Sequence, residues 1–155
     1  MERLDPRVVS LWRMQGIVRV LVVWLPLSLG GAVPLGIRFG SAAGVALVAL
    51  VLGLTATLSL LWPSLSWRAF GYQIREHDLL VTRGVLFRQS TSVPLSRIQH
   101  VDTRQGPLER IWGLSHLAVY TAAGISADGS IPGLDEAMAA HLRDELGRRG
   151  GDDGV

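Results

Sequence analysis

The first half of the chain is almost uninterrupted apolar sequence, since Arg38 is the one charged residue between Val20 and Trp67. One apolar run precedes Arg38 and a longer one follows it. A helix needs about 20 apolar residues to cross the hydrocarbon core of a bilayer, and a soluble helix would show a charged face that neither run has. The pattern therefore predicts a hairpin of two transmembrane helices at about residues 17–37 and 42–62, the second ended by Pro63.

The arginines around these runs predict how the hairpin is oriented. Four arginines precede the first run, Arg38 alone lies in the tight connection, and Arg68 and Arg75 follow the second run. The positive-inside rule then predicts a multi-pass protein of the cytoplasmic (inner) membrane with both termini in the cytoplasm, and residues 1–16 as a polar N-terminal segment. A cleaved signal peptide is the alternative for the first run, but it has no A-x-A site and a second run follows at once.

Small residues recur at intervals of four within the hairpin, which lets helix backbones approach closely. The interpretation we favour is a packing face between the two spans, and a face between two copies of the chain is the alternative. The residues assigned to transmembrane packing are Gly40, Gly44, Ala49 and Gly53.

After Ser66 the pattern changes from runs to alternation, which is typical of β-strands. Strands are predicted over residues 69–75, 79–83, 85–93, 98–103 and 117–122, with a short one at 130–132. In the third of these, Val85, Phe87 and Val93 would share one face of the sheet.

Two helical elements accompany the strands. Residues 107–112 predict one amphipathic turn, with Pro107 at its start and Gly113 at its end, whose apolar residues would plug the sheet. Residues 134–148 predict a terminal helix with acids in its first turn and arginines at its end, and 150–155 would be a flexible tail. The fold class is a membrane-anchored α+β protein: residues 66–149 would form a small β-barrel or sandwich capped by the C-terminal helix. The apolar positions concerned are Leu108, Ile111 and Trp112 in the turn, and Leu134, Met138, Leu142 and Leu146 in the helix.

Composition removes several classes of function. The chain has no cysteine, so disulfides and thiolate metal sites are excluded. Although the isoelectric point is high, residues 68–155 carry ten Arg against eleven Asp or Glu. The positive excess therefore flanks the apolar runs, which indicates membrane topology and not a nucleic-acid-binding face.

The chain, from about Arg13 to Leu146, resembles the YdbS-like membrane proteins, in which two membrane spans precede a bacterial pleckstrin-homology-like domain. The resemblance rests on Gly71-Tyr72, on the block VPLSRIQHVDTRQGPLERIWGL with TAAG after it, and on IPGL before the last helix. It implies a seven-stranded, partly open barrel capped by a C-terminal helix and held at the cytoplasmic membrane face. The lipid site of lipid-binding relatives is not carried over, because the first hairpin has acids at its tip where those relatives have basic residues. A fold name alone carries no function.

The densest polar cluster lies within that block and supports two interpretations. In the functional one, Arg97, His100, Arg104 and Arg110 contact an anionic headgroup or an acidic segment of a partner. In the structural one, which we favour, Arg97 and Arg110 pair with Asp102 and Glu109 and fix the helical turn against the barrel. Arg97 and Arg110 have a role in both hypotheses.

No reactive constellation accompanies this cluster. Ser96, His100 and Asp102 suggest a hydrolase, but the sequence has no nucleophile elbow. The four histidines do not have metal-ligand spacing, so we expect no metal, no cofactor and no catalytic residue.

The sequence thus predicts a non-catalytic, membrane-anchored interaction module that acts as a scaffold or adaptor. Its expected partners are membrane lipid and another integral membrane protein with PH-like domains, a homo-oligomer being left open and nucleic acid excluded. The alternative is a sensor of anionic lipid headgroups, because residues 68–110 carry seven Arg against four acids.

Overall fold

A computed structural model describes residues 1–121 and 129–152, and these fall into two compact units. One unit is the apolar stretch Trp12–Ser64, which we call the membrane unit. The other combines Met1–Leu11 with Leu65–Val155, and we call it the domain unit. The membrane unit is therefore inserted into the sequence of the domain unit.

Two helical stretches, Arg7–Phe39 and Ser41–Ala69, are long and apolar enough to cross a membrane. The first consists of α1 (Arg7–Arg19), a π-helical segment at Val20–Trp24 and α2 (Leu25–Phe39). The second is α3 (Ser41–Ala69). The predicted spans lie inside these helices, which extend beyond them at their polar ends.

Pro63 does not end the second helix, as the sequence had predicted, but lies within α3. A proline leaves the carbonyl four residues earlier without its helical donor, and membrane helices tolerate this where other groups compensate. Next to that carbonyl, the Arg13 side chain reaches across and donates to the Leu60 carbonyl oxygen (3.1 Å) and to Ser64 Oγ (2.9 Å).

The small residues of the hairpin do not form the single packing face that we predicted. A Cβ added to Gly44 would lie 2.7 Å from the Ala32 carbonyl oxygen, so Gly44 is at a close approach of the two helices. Gly40 instead makes the turn between α2 and α3 with a φ of 96°. Ala49 and Gly53 are exposed. The second close approach is one that we missed, between Gly16 and Ser59.

The first sheet of the domain unit is an antiparallel meander of three strands. It consists of β1 (Gly71–Ile74), β2 (Asp78–Arg83) and β3 (Gln89–Pro94), in that spatial order. The predicted third strand began at Val85, whereas β3 begins at Gln89 and leaves residues 84–88 as a loop. Val93 is buried as expected, but Phe87 is exposed.

The second sheet is also a three-stranded antiparallel meander, of β4 (Ile98–Arg104), β5 (Leu114–Thr121) and β6 (Gly129–Asp135). The short helix α4 (Pro107–Ile111) connects β4 to β5, and α5 (Glu136–Asp152) follows β6. The resemblance implied seven strands, and six are present in residues 1–121 and 129–152. The residues after Thr121 in the TAAG motif and residue 122 of the predicted fifth strand lie outside the described residues.

The last helix differs from its prediction at both ends. β6 continues through Asp135, so α5 begins at Glu136 and not at Leu134. The helix includes residues 150–152, which we had placed in a flexible tail, and residues 153–155 lie outside the described part of the chain.

The core of the domain unit combines apolar residues of both sheets with one side of α5. Its fully buried members include Leu79, Leu117, Val119, Ile131 and Leu146. Two predicted core residues are exposed instead: Met138 on α5, and Ile111 at the end of α4 with 74% of its surface accessible. The α4 turn therefore does not plug the sheet with Ile111.

The N-terminal segment Met1–Leu11 belongs to this core, although its sequence was interpreted as a separate polar segment. Leu4, Val8 and Leu11 are each almost completely buried. Val8 and Leu11, three residues apart, lie on one side of α1, whereas Leu4 precedes that helix. Glu2 and Tyr72 exchange backbone hydrogen bonds of 2.8 and 3.1 Å, so the segment also lengthens the edge of the first sheet beside β1.

Polar contacts hold the segment at three further points. The Asp5 amide donates to the Gly133 carbonyl oxygen (3.2 Å), and the Trp67 indole N–H donates to the Leu4 carbonyl oxygen (2.9 Å). Arg7 Nη2 lies 2.8 Å from Asp5 and 2.6 Å from Asp135. The domain unit is thus built from the residues that precede the membrane hairpin in the sequence together with those that follow it.

Candidate interaction surface

The predicted polar cluster is organised by the pairing of β4 with β5. The register places His100 opposite Tyr120, Asp102 opposite Ala118, and Arg104 opposite His116. Residues directly opposite each other in an antiparallel pair share one face of the sheet. We call this set the polar strip: His100, Asp102, Arg104, His116 and Tyr120.

Arg104 is the centre of the polar strip. Its Nε donates to Asp102 Oδ2 (3.2 Å) and its Nη2 donates to Tyr120 Oη (2.9 Å). The carboxylate of Asp102 raises the pKa of the Arg104 guanidinium above its ordinary value. The His100 ring lies 6.1 Å from the Tyr120 ring, at a tilted angle.

Glu109 makes a second group of contacts beside the strip. One carboxylate oxygen accepts the Gly106 backbone N–H (2.6 Å), which caps the start of α4. The other lies 3.5 Å from His116 Nδ1, a distance at which a protonated imidazole forms an ion pair. Glu109 therefore joins α4 to β5.

These contacts correct the pairing that the sequence suggested. Asp102 pairs with Arg104, and Glu109 lies beside His116; neither carboxylate pairs with Arg97 or Arg110. The reason is the antiparallel register, which brings β5 residues against β4, whereas the sequence-based pairing considered only the block from Arg97 to Arg110.

Arg97 and Arg110 remain exposed at the two ends of this block. Arg97 ends the 3₁₀ turn Leu95–Arg97, just before β4, and Arg110 lies in α4. Within residues 1–121 and 129–152, neither guanidinium has a hydrogen bond or an ion pair to another side chain. Exposed guanidinium groups of this kind are available to carboxylates or phosphates, which they bind in bidentate geometry.

The structure also bears on the hydrolase alternative. Ser96 lies in the 3₁₀ turn and is exposed, and no hydrogen bond joins its side chain to His100 or Asp102 in the part of the chain that the structure describes. Nor does any group of three His, Asp or Glu residues there come close enough to hold a metal ion.

His116 and Tyr120 are the members of the strip that the sequence-based reasoning missed. The alternation of β5 already showed Tyr120 on the face opposite Leu117 and Val119. What was absent was the register, which decides the β4 residue that each side chain meets.

Two membrane-spanning helices joined to a pair of small sheets and a terminal helix define a membrane-anchored α+β protein. The chain belongs to the bacterial PH domain family, whose model matches residues 20–150. It is 32% identical over 149 residues to the UPF0699 transmembrane protein YdbS of Bacillus subtilis (strain 168), covering 94% of this chain and 90% of that protein. No solved structure matches the chain significantly.

Proposed function

We propose that the chain is a non-catalytic interaction module that docks a second integral membrane protein, one that carries the same kind of PH-like domain, at the cytoplasmic face of the inner membrane. The observation that carries this proposal is the polar strip with its flanking arginines. Arg104 is fixed by Asp102 and Tyr120, whereas Arg97 and Arg110 are exposed and have no polar side-chain partner among the described residues. Such a surface is complementary to an acidic segment on a partner.

The fixed and the unpaired arginines have different expected roles in docking. Because Arg104 is already held in one conformation, its side chain loses less conformational entropy when a partner binds. Arg97 and Arg110 supply charge that is not neutralised within the described part of the domain unit. We assign Arg97, His100, Arg104 and Arg110 to the contact, and Asp102 and Glu109 to positioning it.

The test is a pull-down of the full-length chain from its own membranes in a mild detergent, with mass spectrometry of protein and lipid. We expect a membrane protein in stoichiometric amount with the wild type and its loss with the double variant Arg97→Ala, Arg104→Ala. Arg75→Ala is the control, because Arg75 is an exposed arginine in the turn between β1 and β2, where its Nη1 lies 3.8 Å from Asp78 Oδ2.

The results separate the proposal from its alternatives. Recovery of the chain alone, or a partner retained by the double variant, would contradict the proposed contact. Anionic lipid enriched without any protein would favour a headgroup sensor, for which residues 68–110 offer a net charge of +3 from seven Arg and four acids. Turnover abolished by Ser96→Ala or His100→Ala would establish an enzyme instead.

The cytoplasmic orientation is tested independently, because the natural chain has no cysteine and single-cysteine variants can be labelled specifically. We expect Arg38→Cys to react with a membrane-impermeant maleimide in spheroplasts whose inner membrane is intact. Gln99→Cys, at an exposed residue of β4, should react only after the membrane is permeabilised. The reverse pattern would place the domain unit on the opposite side.

A further inference from the structure

The loop between β2 and β3 displays two large apolar side chains to solvent. It comprises residues 84–88, and Leu86 and Phe87 at its tip are 75% and 88% exposed. Single exposed apolar residues are ordinary on protein surfaces, but two in succession at a hairpin tip form a projecting apolar point. The sequence pattern had placed Phe87 within a strand, on the same face as Val93, so the exposed loop emerges from the structure alone.

The shape of the loop is determined by its own backbone and by the strands that carry it. Gly84 has a φ of 112°, and a Cβ at this position would overlap the Phe87 carbonyl oxygen, so only glycine fits there. Below the loop, Arg83 pairs with Gln89 in the β2–β3 register, and Thr82 Oγ1 lies 3.2 Å from Ser90 Oγ. The tip is therefore held at the end of a paired hairpin.

The two charged residues that flank the tip along the chain are both arginines. Arg83 and Arg88 flank the apolar residues, both are exposed, and neither has a polar side-chain partner among the described residues. The sequence from Leu79 to Val101 contains no Asp or Glu. An apolar point between two free guanidinium groups is complementary to a bilayer surface, which offers acyl chains beneath a layer of phosphates.

We propose that the Leu86–Phe87 tip inserts into the interfacial layer of the bilayer that the chain spans, with Arg83 and Arg88 at anionic phosphates. The chain's own helices keep the domain unit close to a membrane, which raises the effective concentration of lipid around the loop. A protein partner fits less well, because a specific protein interface buries roughly 800 Å² on each side and two residues on a narrow loop offer far less. This proposal does not depend on the identity of any docking partner.

The experiment measures the depth of the tip in the full-length chain, reconstituted in vesicles of phosphatidylcholine with phosphatidylglycerol. A Val85→Cys variant carries an environment-sensitive fluorophore, and doxyl-labelled acyl chains and aqueous iodide serve as quenchers. We expect blue-shifted emission, quenching by the acyl-chain doxyl groups and protection from iodide. The same label at Gln99→Cys, on an exposed strand residue, should show the opposite behaviour.

Two further variants, both carrying the Val85→Cys label, test the residues assigned to insertion. Leu86→Ser with Phe87→Ser should reduce acyl-chain quenching to the level of the Gln99 label, and the fold is expected to survive because both side chains are exposed. Ile111→Ser removes an apolar residue of similar exposure on α4, 74%, and should leave the quenching unchanged. Vesicles of phosphatidylcholine alone should give weaker quenching, since the arginines lose their anionic phosphates.

Several results would overturn the proposal. They include iodide access at Val85 equal to that at Gln99, quenching that survives the double serine change, and quenching that Ile111→Ser also removes. A blue shift without acyl-chain quenching would indicate that a second copy of the chain covers the tip. Equal quenching in the two lipid compositions would remove the role given to Arg83 and Arg88.

Discussion

Gly133, within β6, has a left-handed backbone conformation with a φ of 63°. The N-terminal segment packs against β6 at this residue. A Cβ there would overlap the Val8 side chain. Two separate constraints, backbone and packing, therefore require glycine at one residue. Neither constraint is visible in the sequence, because the neighbour that imposes the second lies more than a hundred residues away along the chain.

We expect Gly133→Ala to destabilise the domain unit by about 2 kcal/mol or more, since left-handed backbone alone costs a residue with a Cβ roughly 1–2 kcal/mol and Val8 must also move. The measurement is the thermal unfolding midpoint in detergent. Gly147→Ala is the control with the opposite expected sign, because Gly147 lies within α5 with no atom near its missing Cβ. Alanine should stabilise a helix there by about 0.5–1 kcal/mol. Equal midpoints for the two variants would contradict the packing.

The ionisation of Asp5 makes the stability of the domain unit depend on pH in the acid range. The side-chain hydrogen bond from Arg7 lowers the pKa of the Asp5 carboxyl, while partial burial opposes this shift. A carboxyl with a lowered folded-state pKa adds stability above its unfolded value, near pH 4, and that stability is lost as the pH falls through the folded value. We expect Asp5→Asn to cost about 1 kcal/mol at neutral pH, because Arg7 is half exposed and solvent weakens the pair.

The measurement for Asp5 is the difference in unfolding free energy between wild type and Asp5→Asn at a series of pH values. The difference should shrink below about pH 4. A difference that stays constant down to the acid limit would show that the carboxylate charge is not what Arg7 recognises.

At the scale of elements, what the sequence could predict depended on whether the signal was local. The two apolar runs, the alternation of β1 and β2 and the terminal helix are local patterns, and the structure has all of them. Pro63 misled, because the prediction treated it as the end of a helix, although membrane helices tolerate proline and α3 continues through it to Ala69. The strand parity of β4 and β5 was also correct, but their register needed the folded sheet.

The N-terminal segment is the element whose sequence signal was available and missed. Leu4, Val8 and Leu11 have helical spacing, but they stand among arginines just before a long apolar run, and the charge pattern was interpreted as topology alone. We expect Leu4→Ala to destabilise the domain unit by roughly 2–5 kcal/mol, the usual cost of truncating a fully buried leucine. Hydrogen exchange of the β1 amides should report it, because Glu2 pairs with Tyr72.

Met1→Ala is the matched control for Leu4→Ala, because Met1 neighbours the same strand but is 68% exposed. A surface change of this kind should stay within about 0.5 kcal/mol. If both variants left β1 protected, the N-terminal segment would be a passive attachment and not part of the core.

For the whole molecule, the consequence is that the membrane hairpin interrupts one folded unit. Residues 66–149 were predicted to be that unit by themselves, but the domain unit includes Met1–Leu11. Burying three side chains of the size of Leu4, Val8 and Leu11 contributes on the order of 5 kcal/mol, against a typical total stability of about 5–15 kcal/mol.

We therefore expect a fragment that begins at Leu65 to aggregate, because it lacks these three buried side chains. A chain in which a flexible Gly/Ser linker replaces Trp12–Ser64 should be soluble and cooperatively folded, by circular dichroism and by dispersion of amide resonances. The same linker chain with Leu4→Ser and Val8→Ser separates core packing from solubility, since it keeps the length and loses only the buried contacts. A well-dispersed spectrum from the Leu65 fragment would show that the N-terminal segment is dispensable. Folding that returns only with Met1–Leu11 would establish that the membrane hairpin begins and ends in the same folded domain.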